Sequence, residues 1–239
     1  MAAKAEIILV GAAGRVGREI ASLLRKHKTA TLYTAVDHKG RAEATSLDRV
    51  RPIKHAVVID FSTPESFREC LKWCLEANTP LVSGTTGLSP EDFKDLEKAS
   101  KKIPILWSAN MSQGINLFLN VIESLGMKLD DYDLQIEEVH HSRKKDAPSG
   151  TAKILRERIE RVTGQKMPAP VSIRGGGVFG IHKLWMMNED EIITIEHSAL
   201  NRRVFASGAV QVATWLVGQK PGFYTMQDAL RKKRKKNNS

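Results

Sequence analysis

Gly11-Ala12-Ala13-Gly14-Arg15-Val16-Gly17 separates an apolar run at residues 6–10 from an amphipathic run that continues to about residue 28. The apolar run predicts a buried strand and the amphipathic run a helix, so the glycines form the turn between them. Gly11 permits the tight bend, Gly14 permits close approach of a pyrophosphate, and Gly17 permits close packing of helix and strand. A phosphate would bind at the start of the helix, beside the positive charge of Arg15.

A candidate ribose-binding acid follows the second predicted strand, at residues 31–36. Asp37 lies twenty residues beyond Gly17, where dinucleotide-binding units place an acid that accepts hydrogen bonds from ribose hydroxyls. His38 and Lys39 come next and could bind a 2′-phosphate. Acid and bases together predict a site open to both NADH and NADPH. For Asp37 taken alone, a strand-end acid before an ordinary turn remains the alternative.

Strands and helices keep alternating up to about residue 107. Apolar runs at residues 56–59, 80–83 and 103–107 predict strands, and the segments between them predict helices that end near residues 77 and 101. This alternation predicts a Rossmann-type dinucleotide-binding domain with a parallel sheet. Ligands bind beyond the carboxyl ends of such strands. The turns at those ends are therefore expected to line the nicotinamide and its ribose, although each alone is more typical of an ordinary turn: Phe61-Ser62, Gly84-Thr85-Thr86 and Ser108-Ala109-Asn110.

The second half of the chain has a different pattern. An amphipathic helix is predicted over residues 111–127, and strands are predicted at 132–139, 171–173, 179–187 and 191–200. In the first strand Leu134, Ile136 and Val139 are expected on one face, and Gln135, Glu137 and Glu138 on the other. These runs favour an α+β domain with a mainly antiparallel sheet. Helices over residues 205–217 and 226–233 follow.

Two imidazoles, three cations and one carboxylate lie within seven residues at 140–146. A Pro-Ser-Gly-Thr turn and a helix over residues 152–162 follow. Asp146 or Ser149 can cap that helix, and Pro148 suits its first turn. The N–H groups near Gly150 and Thr151 would then bind an anion. A proton donor, fixed cations and an anion site together indicate an acidic small molecule, and a solvated basic loop is the alternative. Arg174 to Gly177 is expected to be a flexible basic loop.

Composition excludes several classes of protein. The chain has 239 residues and no run of 18 apolar ones, so no membrane-spanning helix is expected. Met1 to Lys4 lead directly into a strand, which leaves no room for a signal peptide. Cys70 and Cys74 lack further zinc ligands at suitable spacing, so we expect reduced packing cysteines, no metal site and a cytoplasmic location.

The net charge of +10 does not by itself indicate a nucleic-acid-binding protein. Six basic residues lie at 231–236, and without them 31 basic side chains exceed 27 acidic ones by only four. No aromatic side chains lie among them for stacking on bases. We therefore expect a solvated C-terminal extension, and no nucleic-acid or membrane partner.

The stretch His140-His141-x-x-Lys144-x-Asp146-Ala147-Pro148-Ser149-Gly150-Thr151-Ala152 resembles the signature of the dihydrodipicolinate reductase family. The resemblance covers nearly the whole chain. It implies a dinucleotide-binding domain at residues 1–110 and 204–239, and a substrate-binding and tetramerisation domain at 111–203. It also implies a homotetramer that reduces a small dicarboxylate with NADH or NADPH in lysine and diaminopimelate biosynthesis, with hydride going to C4.

The same resemblance implies roles for individual residues. His140 would be the general acid and Lys144 the cation beside the substrate. The other substrate-binding residues would be His141, Gly150, Thr151 and Arg202. The predicted cofactor-binding residues are Gly11, Ala13, Gly14, Arg15, Val16, Gly17, Asp37, His38, Phe61, Ser62, Gly84, Thr85, Thr86, Ser108, Asn110 and Met111. Gly177, Ile181 and Met111 depart from common family choices, which puts cofactor preference and loop closure in doubt.

Two rival classes make different predictions. A semialdehyde dehydrogenase would need an activated cysteine, and Cys70 and Cys74 fall on an N-terminal helix with no histidine nearby in sequence. A dinucleotide-sensing DNA-binding protein would use the basic tail, with an affinity that falls steeply as salt rises.

Overall fold

The computed structural model describes residues 4–38, 40, 42–125 and 129–230. The chain divides into two compact units, of which the first is Met1–Met111 with Phe205–Ser239 and the second is Ser112–Val204. Among the described residues, no helix has the length and apolar character needed to cross a membrane. Each unit has its own sheet.

The strands and helices of the described residues are numbered in chain order. The strands are β1 (Ala5–Val10), β2 (Ala30–Val36), β3 (Ala56–Asp60), β4 (Leu81–Ser83), β5 (Pro104–Trp107), β6 (Asp133–His140), β7 (Val171–Arg174), β8 (Gly180–Met187), β9 (Ile192–Ala199) and β10 (Gly222–Tyr224). The helices are α1 (Arg15–Leu24), α2 (Pro64–Glu76), α3 (Pro90–Ser100), α4 (Gln113–Leu125), α5 (Gly150–Thr163), α6 (Arg203–Leu216) and α7 (Met226–Leu230).

The sheet of the first unit is parallel and buried on both faces. Its strand order is β10-β5-β4-β3-β1-β2, and each neighbouring pair is parallel. Ile7 and Leu9 of β1 pack into one core with residues of α1 and α6, whereas Ile8 and Val10 pack into a second core with residues of α2 and α3. Because helices cover both faces, the central strands are continuously apolar.

The sheet of the second unit is mixed. Its order is β7-β6-β8-β9, in which β6 and β7 are parallel and the other two pairs are antiparallel. Residues of α4 and α5 pack on one face of this sheet with Ile136 of β6 and Leu184 of β8. The opposite face exposes the apolar side chains of Val171, Ile173 and Ile192.

Several local predictions were wrong. Helix α1 ends at Leu24, before the predicted residue 28, and α4 begins at Gln113 instead of residue 111. Strand β10 was not predicted, because three residues are too few to show periodicity. The predicted end of α4 at residue 127 and the end of α7 at residue 233 lie outside the described residues.

The predicted burial pattern of β6 was wrong at its end. Leu134, Ile136, Glu138 and His140 are buried, whereas Val139 is only half-buried. Successive side chains of a strand point to opposite faces, so the two-residue period places Glu138 with the buried set. A buried carboxylate therefore lies two residues before His140 and on the same face of the sheet.

Candidate active site

A cavity of about 410 Å³ opens at the carboxyl ends of β1, β2 and β3. It lies where a parallel sheet of this type binds its ligands. Of the predicted cofactor-binding residues, it brings together Gly11, Ala13, Gly14, Asp37, His38, Phe61 and Ser62. Sequence analysis did not assign its other lining residues, which are Val10, Arg18, Val36, Thr63 and Ser66.

The glycines of the first turn are required by close backbone contacts. Gly11 has φ of 78°, and a Cβ at this position would lie 2.3 Å from the Phe61 carbonyl oxygen. At Gly17 a Cβ would lie 2.2 Å from the Gly11 carbonyl oxygen, so the helix could not pack so closely on the turn. A larger residue would therefore push the turn away from Phe61 at Gly11, or helix α1 away from the turn at Gly17.

Asp37 forms part of the wall of this cavity. Its Oδ2 accepts a hydrogen bond from the Ala13 N–H at 3.0 Å, which ties the end of β2 to the glycine turn. His38 lines the same cavity, and its Nε2 lies 3.9 Å from Glu69 Oε2. Lys39 lies outside the described residues.

Arg15 and Val16 are not part of the cavity lining. Arg15 is exposed, and Val16 packs against the hydrophobic core. Arg18, one helical turn after Arg15, lines the cavity instead. Because positions three apart on a helix share a face, the spacing from Arg15 could have indicated Arg18 as a residue of this cavity.

A buried carboxylate, Asp60, joins the turns that follow β3 and β4. Its Oδ2 accepts hydrogen bonds from the hydroxyls of Ser83 and Thr85, at 2.8 and 2.7 Å. Its Oδ1 accepts from the Ser62 N–H at 3.1 Å and from the Ser62 hydroxyl. Burial raises the pKa of Asp60, and these donors oppose that effect.

The later turns of the parallel sheet differ from their prediction in two places. Thr85 is 2 % exposed and its hydroxyl is bonded to Asp60, so its side chain fixes the turn instead of lining an open site. Met111 is 1 % exposed, and its side chain packs within the hydrophobic core. Gly84, Ser108 and Asn110 are half-buried and Thr86 is exposed, at the same edge of the sheet.

In the second unit, His140 lies in a buried ion-pair network. Its Nδ1 is hydrogen-bonded to Glu138 Oε2, and Glu138 is fully buried. The guanidinium of Arg174 holds both oxygens of the same carboxylate, at 2.6 Å to Oε1 and 2.9 Å to Oε2. Arg174 ends β7, so its prediction as part of a flexible loop was wrong. A two-pronged Arg–carboxylate contact fixes both partners in one geometry.

The charges in this network shift two pKa values. Burial raises the pKa of Glu138, but hydrogen bonds from Arg174 and His140 outweigh it and hold the pKa at about 2. Burial lowers the pKa of His140, and Glu138 opposes that effect by stabilising the imidazolium. The positive charges of Lys144 and Arg174 lower the pKa of His140 further. Glu138 is therefore ionised at neutral pH, and its charge favours a protonated His140.

The predicted anion site lies at the start of α5. Ser149 is the N-cap, and its Oγ accepts a hydrogen bond from the Ala152 N–H at 3.2 Å. Gly150 and Thr151 are the first two helical residues, where N–H groups have no acceptor within the helix. A Cβ at Gly150 would meet no atom within 4 Å. Pro148 precedes the cap, so its predicted place in the first turn was wrong.

One carboxylate connects His140 to this helix start. The Ser149 N–H donates to Glu138 Oε1 at 3.2 Å, and Ser149 Oγ lies 3.2 Å from His182 Nε2. The rings of His182 and His140 meet edge to face, with centroids 5.1 Å apart. Burial lowers the pKa of His182 to about 3, which keeps it neutral. The sequence reasoning did not find Glu138, Arg174 or His182, and only the two-residue period from His140 to Glu138 pointed to one of them.

The remaining predicted substrate residues lie around this network. Lys144 is 22 % exposed at its side chain and forms an ion pair with Asp146 at 2.9 Å. His141 follows β6, and its carbonyl accepts the Lys144 N–H at 3.0 Å. The guanidinium of Arg202 lies over the Phe179 ring, 5.1 Å from its centroid. Phe179 precedes Gly180, at which a Cβ would lie 3.0 Å from His140 Nε2.

This arrangement can hold an anion and transfer a proton. The exposed start of a helix, with cationic side chains nearby, suits a carboxylate. An imidazole with one nitrogen fixed by a carboxylate presents its other nitrogen for proton transfer. Among the described residues, no group of three or more potential metal ligands is found.

The sulfhydryl groups do not fit a nucleophilic site. Cys70 and Cys74 are free and fully buried. A hydrogen bond with Cys74, together with burial, raises the pKa of Cys70 well above its ordinary value. Since the reactive form of cysteine is the thiolate, this environment opposes the activated cysteine that a semialdehyde dehydrogenase needs.

Comparison with known proteins identifies close relatives. The family model for the dihydrodipicolinate reductase N-terminus matches residues 5–111, and the model for the dihydrodipicolinate reductase C-terminus matches residues 114–230. The 4-hydroxy-tetrahydrodipicolinate reductase of Bdellovibrio bacteriovorus is 45% identical over 233 residues, which cover 98% of this chain and 99% of that protein. The protein of the same name from Rickettsia akari is 42% identical over 238 residues, with 92% and 94% coverage.

Solved structures agree with the fold. A dipicolinate-bound dihydrodipicolinate reductase from Paenisporosarcina sp. TG-14 has a TM-score of 0.75 at 22% identity, covering 95% of this chain and 100% of that one. GenD2 from gentamicin A biosynthesis, solved in complex with NAD, has a TM-score of 0.61 at 11% identity, with 96% and 91% coverage. The predicted fold class, a Rossmann-type parallel sheet and a second, mainly antiparallel sheet, is confirmed.

Proposed function

The chain belongs to the dihydrodipicolinate reductase family, and we propose that His140 and Lys144 carry out its chemistry. It is an oxidoreductase that uses NADH or NADPH to reduce 4-hydroxy-tetrahydrodipicolinate in lysine and diaminopimelate biosynthesis.

The first unit fits a dinucleotide at the glycine turn, where a Cβ at Gly11 would fill the space beside Phe61. The backbone of Gly14 and the start of α1 would hold the pyrophosphate, with Arg18 adding positive charge. Asp37 would accept hydrogen bonds from the ribose, and His38 would face a 2′-phosphate. When bound, NADH or NADPH would supply the hydride, which goes to C4 of the dihydropyridine-type dicarboxylate that forms when 4-hydroxy-tetrahydrodipicolinate loses water.

His140 would supply the proton to C3, and the observation that carries this role is its bond to buried Glu138. Because the carboxylate accepts from Nδ1, the proton that leaves the imidazolium is the one on Nε2. After transfer the ring is neutral and keeps its Nδ1–H on Glu138. The negative charge of a bound dicarboxylate would raise the pKa of His140 toward neutrality, which favours the protonated donor when substrate is present.

Two carboxylates on the substrate would need two sites. The N–H of Gly150 and the hydroxyl of Thr151 at the start of α5 would bind one of them. Lys144, His141 and Arg202 would bind the other and stabilise negative charge that develops during reduction. A dipicolinate complex has been solved for the family member from Paenisporosarcina, which supports a planar dicarboxylate as the ligand of this chain.

We also infer a cytoplasmic homotetramer. The outer face of the mixed sheet carries Val171, Ile173 and Ile192, which are 50%, 44% and 61% exposed. An apolar sheet face of this kind favours contact with another copy. Substitution of Ile173 and Ile192 by lysine should lower the mass measured by light scattering, while an unchanged mass would place the contact elsewhere.

Turnover of freshly generated 4-hydroxy-tetrahydrodipicolinate tests the reaction directly. Purified protein should oxidise both NADH and NADPH only when this substrate is present, and dipicolinate should inhibit competitively. Oxidation that continues without substrate, or no oxidation with it, would contradict the proposed function. A coupled assay in which the substrate is formed continuously avoids losses through its instability.

A further inference from the structure

The carboxylate of Glu138 joins three parts of the second unit around His140. It accepts from His140 Nδ1, from both terminal nitrogens of Arg174 and from the Ser149 N–H. The first of these is the proposed proton donor, and the last is the N-cap of the helix that would bind a substrate carboxylate. One buried anion thus holds two parts of the site, and the more distant of them, Ser149, lies eleven residues from Glu138 in sequence.

We propose that Glu138 is a positioning residue that couples the proton donor at His140 to the carboxylate-binding start of α5, with Arg174 setting the strength of that coupling. This inference rests on the proposed function of His140. Glu138 would not touch the substrate, because it is fully buried beneath both groups. It acts by fixing the Nδ1–H tautomer of His140 and by holding Ser149 in place.

Cross-strand geometry supports this role. Glu138 of β6 is paired with His182 of β8, and His182 is paired with His197 of β9, so one row of polar side chains crosses the sheet. His182 Nε2 contacts the hydroxyl of Ser149, so a second buried side chain holds the same cap. A carboxylate in a largely buried environment controls its neighbours strongly, since little water screens its charge.

The charged groups that face His140 oppose one another. Glu138 on its own strand favours the imidazolium, whereas Arg174 from β7 and Lys144 from the following loop disfavour it. His182 from β8 stays neutral and contributes ring contact. Neutralising Glu138 should therefore lower the pKa of His140, whereas neutralising Arg174 should raise it. General damage to the fold would not produce opposite shifts.

Glu138→Gln and Arg174→Gln form the test, with Glu157→Gln, an exposed carboxylate on α5, as the matched control. The His140 ring is titrated by NMR and assigned with His140→Gln. We expect its pKa to fall by about one pH unit in Glu138→Gln and to rise in Arg174→Gln. Because the donor must be protonated, kcat should decline at a lower pH in the first variant and at a higher pH in the second.

Ligand binding gives an independent readout. Glu138→Gln should weaken dipicolinate by about tenfold or more, because a neutral amide has one acceptor oxygen instead of two charged ones and holds the Ser149 N–H less strongly. NADH affinity, which reports on the other unit, should stay unchanged. His140→Gln should weaken dipicolinate less. If Glu138→Gln does not fold, the upward shift in Arg174→Gln remains as the test.

Comparison of the NMR titration with the pH profile of kcat distinguishes the positioning role of Glu138 from the proton-donor role of His140. If the His140 titration is the same in all variants, the role of Glu138 is overturned. If the NMR titration moves in both directions but the pH profile of kcat does not follow it, the positioning role stands and His140 is not the proton donor. If both move together, both are supported.

Discussion

Ser149→Ala should lower the free energy of unfolding by an amount that follows from two contacts of the Ser149 hydroxyl, at the proposed anion site of α5. Ser149 is 2 % exposed, its Oγ accepts the Ala152 N–H at 3.2 Å, and the same oxygen lies 3.2 Å from His182 Nε2. Loss of a serine N-cap costs about 1 kcal/mol. A buried ring nitrogen left without its partner costs about 1–3 kcal/mol more. We therefore expect the free energy of unfolding to fall by roughly 2–4 kcal/mol.

The matched control is Ser89→Ala at the start of α3. Ser89 is also an N-cap and accepts from the Asp92 N–H at 3.2 Å, within a capping box in the first unit. Thermal unfolding and amide exchange would give the stability change of each variant, and calorimetry would give dipicolinate affinity. Both substitutions should destabilise, but only Ser149→Ala should weaken dipicolinate. Equal dipicolinate affinity in the two variants, or a Ser149→Ala loss of less than about 1 kcal/mol, would refute the reasoning.

Two further predictions concern the dinucleotide. Gly17→Ala places a Cβ 2.2 Å from the Gly11 carbonyl oxygen. NADH affinity should fall by about tenfold or more, because backbone movement in a tight turn costs about 1–3 kcal/mol. Gly40→Ala, where no atom lies within 4 Å but φ is 66°, is the control for backbone strain alone, and an equal loss of NADH affinity in both variants would contradict the steric argument. Asp37→Ala should weaken NADH more than NADPH, because the carboxylate serves the ribose hydroxyls and repels a 2′-phosphate; fluorescence titration measures both, and parallel losses would remove Asp37 from the ribose site.

The parallel sheet was largely predictable because its signals are local. Buried strands such as Ala56–Asp60 are apolar up to their last residue. The glycine spacing of the first turn is typical of a close connection between a strand and a helix. The start of α5 was predictable for the same reason, since Ser149 and Gly150 are adjacent to the helix they begin. Pro148 was misplaced because the N-cap of α5, Ser149, lies after it.

The contacts that tune His140 were not predictable in the same way. Arg174 reaches Glu138 across 36 residues, and His182 reaches Ser149 across 33. No local pattern reports such pairings, which depend on strand order β7-β6-β8. Glu138 itself was assigned to the exposed face because Val139 is apolar, although the alternation from Leu134 and Ile136 placed the glutamate inside. The two-residue period thus indicated that Glu138 is buried, whereas its charged side chain favoured an exposed position.

The rival classes fare differently. Burial of Cys70 and Cys74 opposes a cysteine nucleophile. The basic tail at residues 231–236 lies outside the described residues, so the DNA-binding alternative rests on binding measurements with and without the tail. An affinity for DNA that is steeply salt-dependent and lost on deleting the tail would favour it.

The most direct test of the central claim is kcat for 4-hydroxy-tetrahydrodipicolinate in His140→Gln and Lys144→Ala, measured beside NADH affinity for the same proteins. We predict that kcat falls by about 10²-fold or more in each, since a positioned proton donor such as His140 contributes that much and so does a charge that stabilises the transition state, as Lys144 would. NADH should bind as in the unsubstituted protein. A kcat within about twofold of the unsubstituted value, with NADH binding intact, would contradict the account.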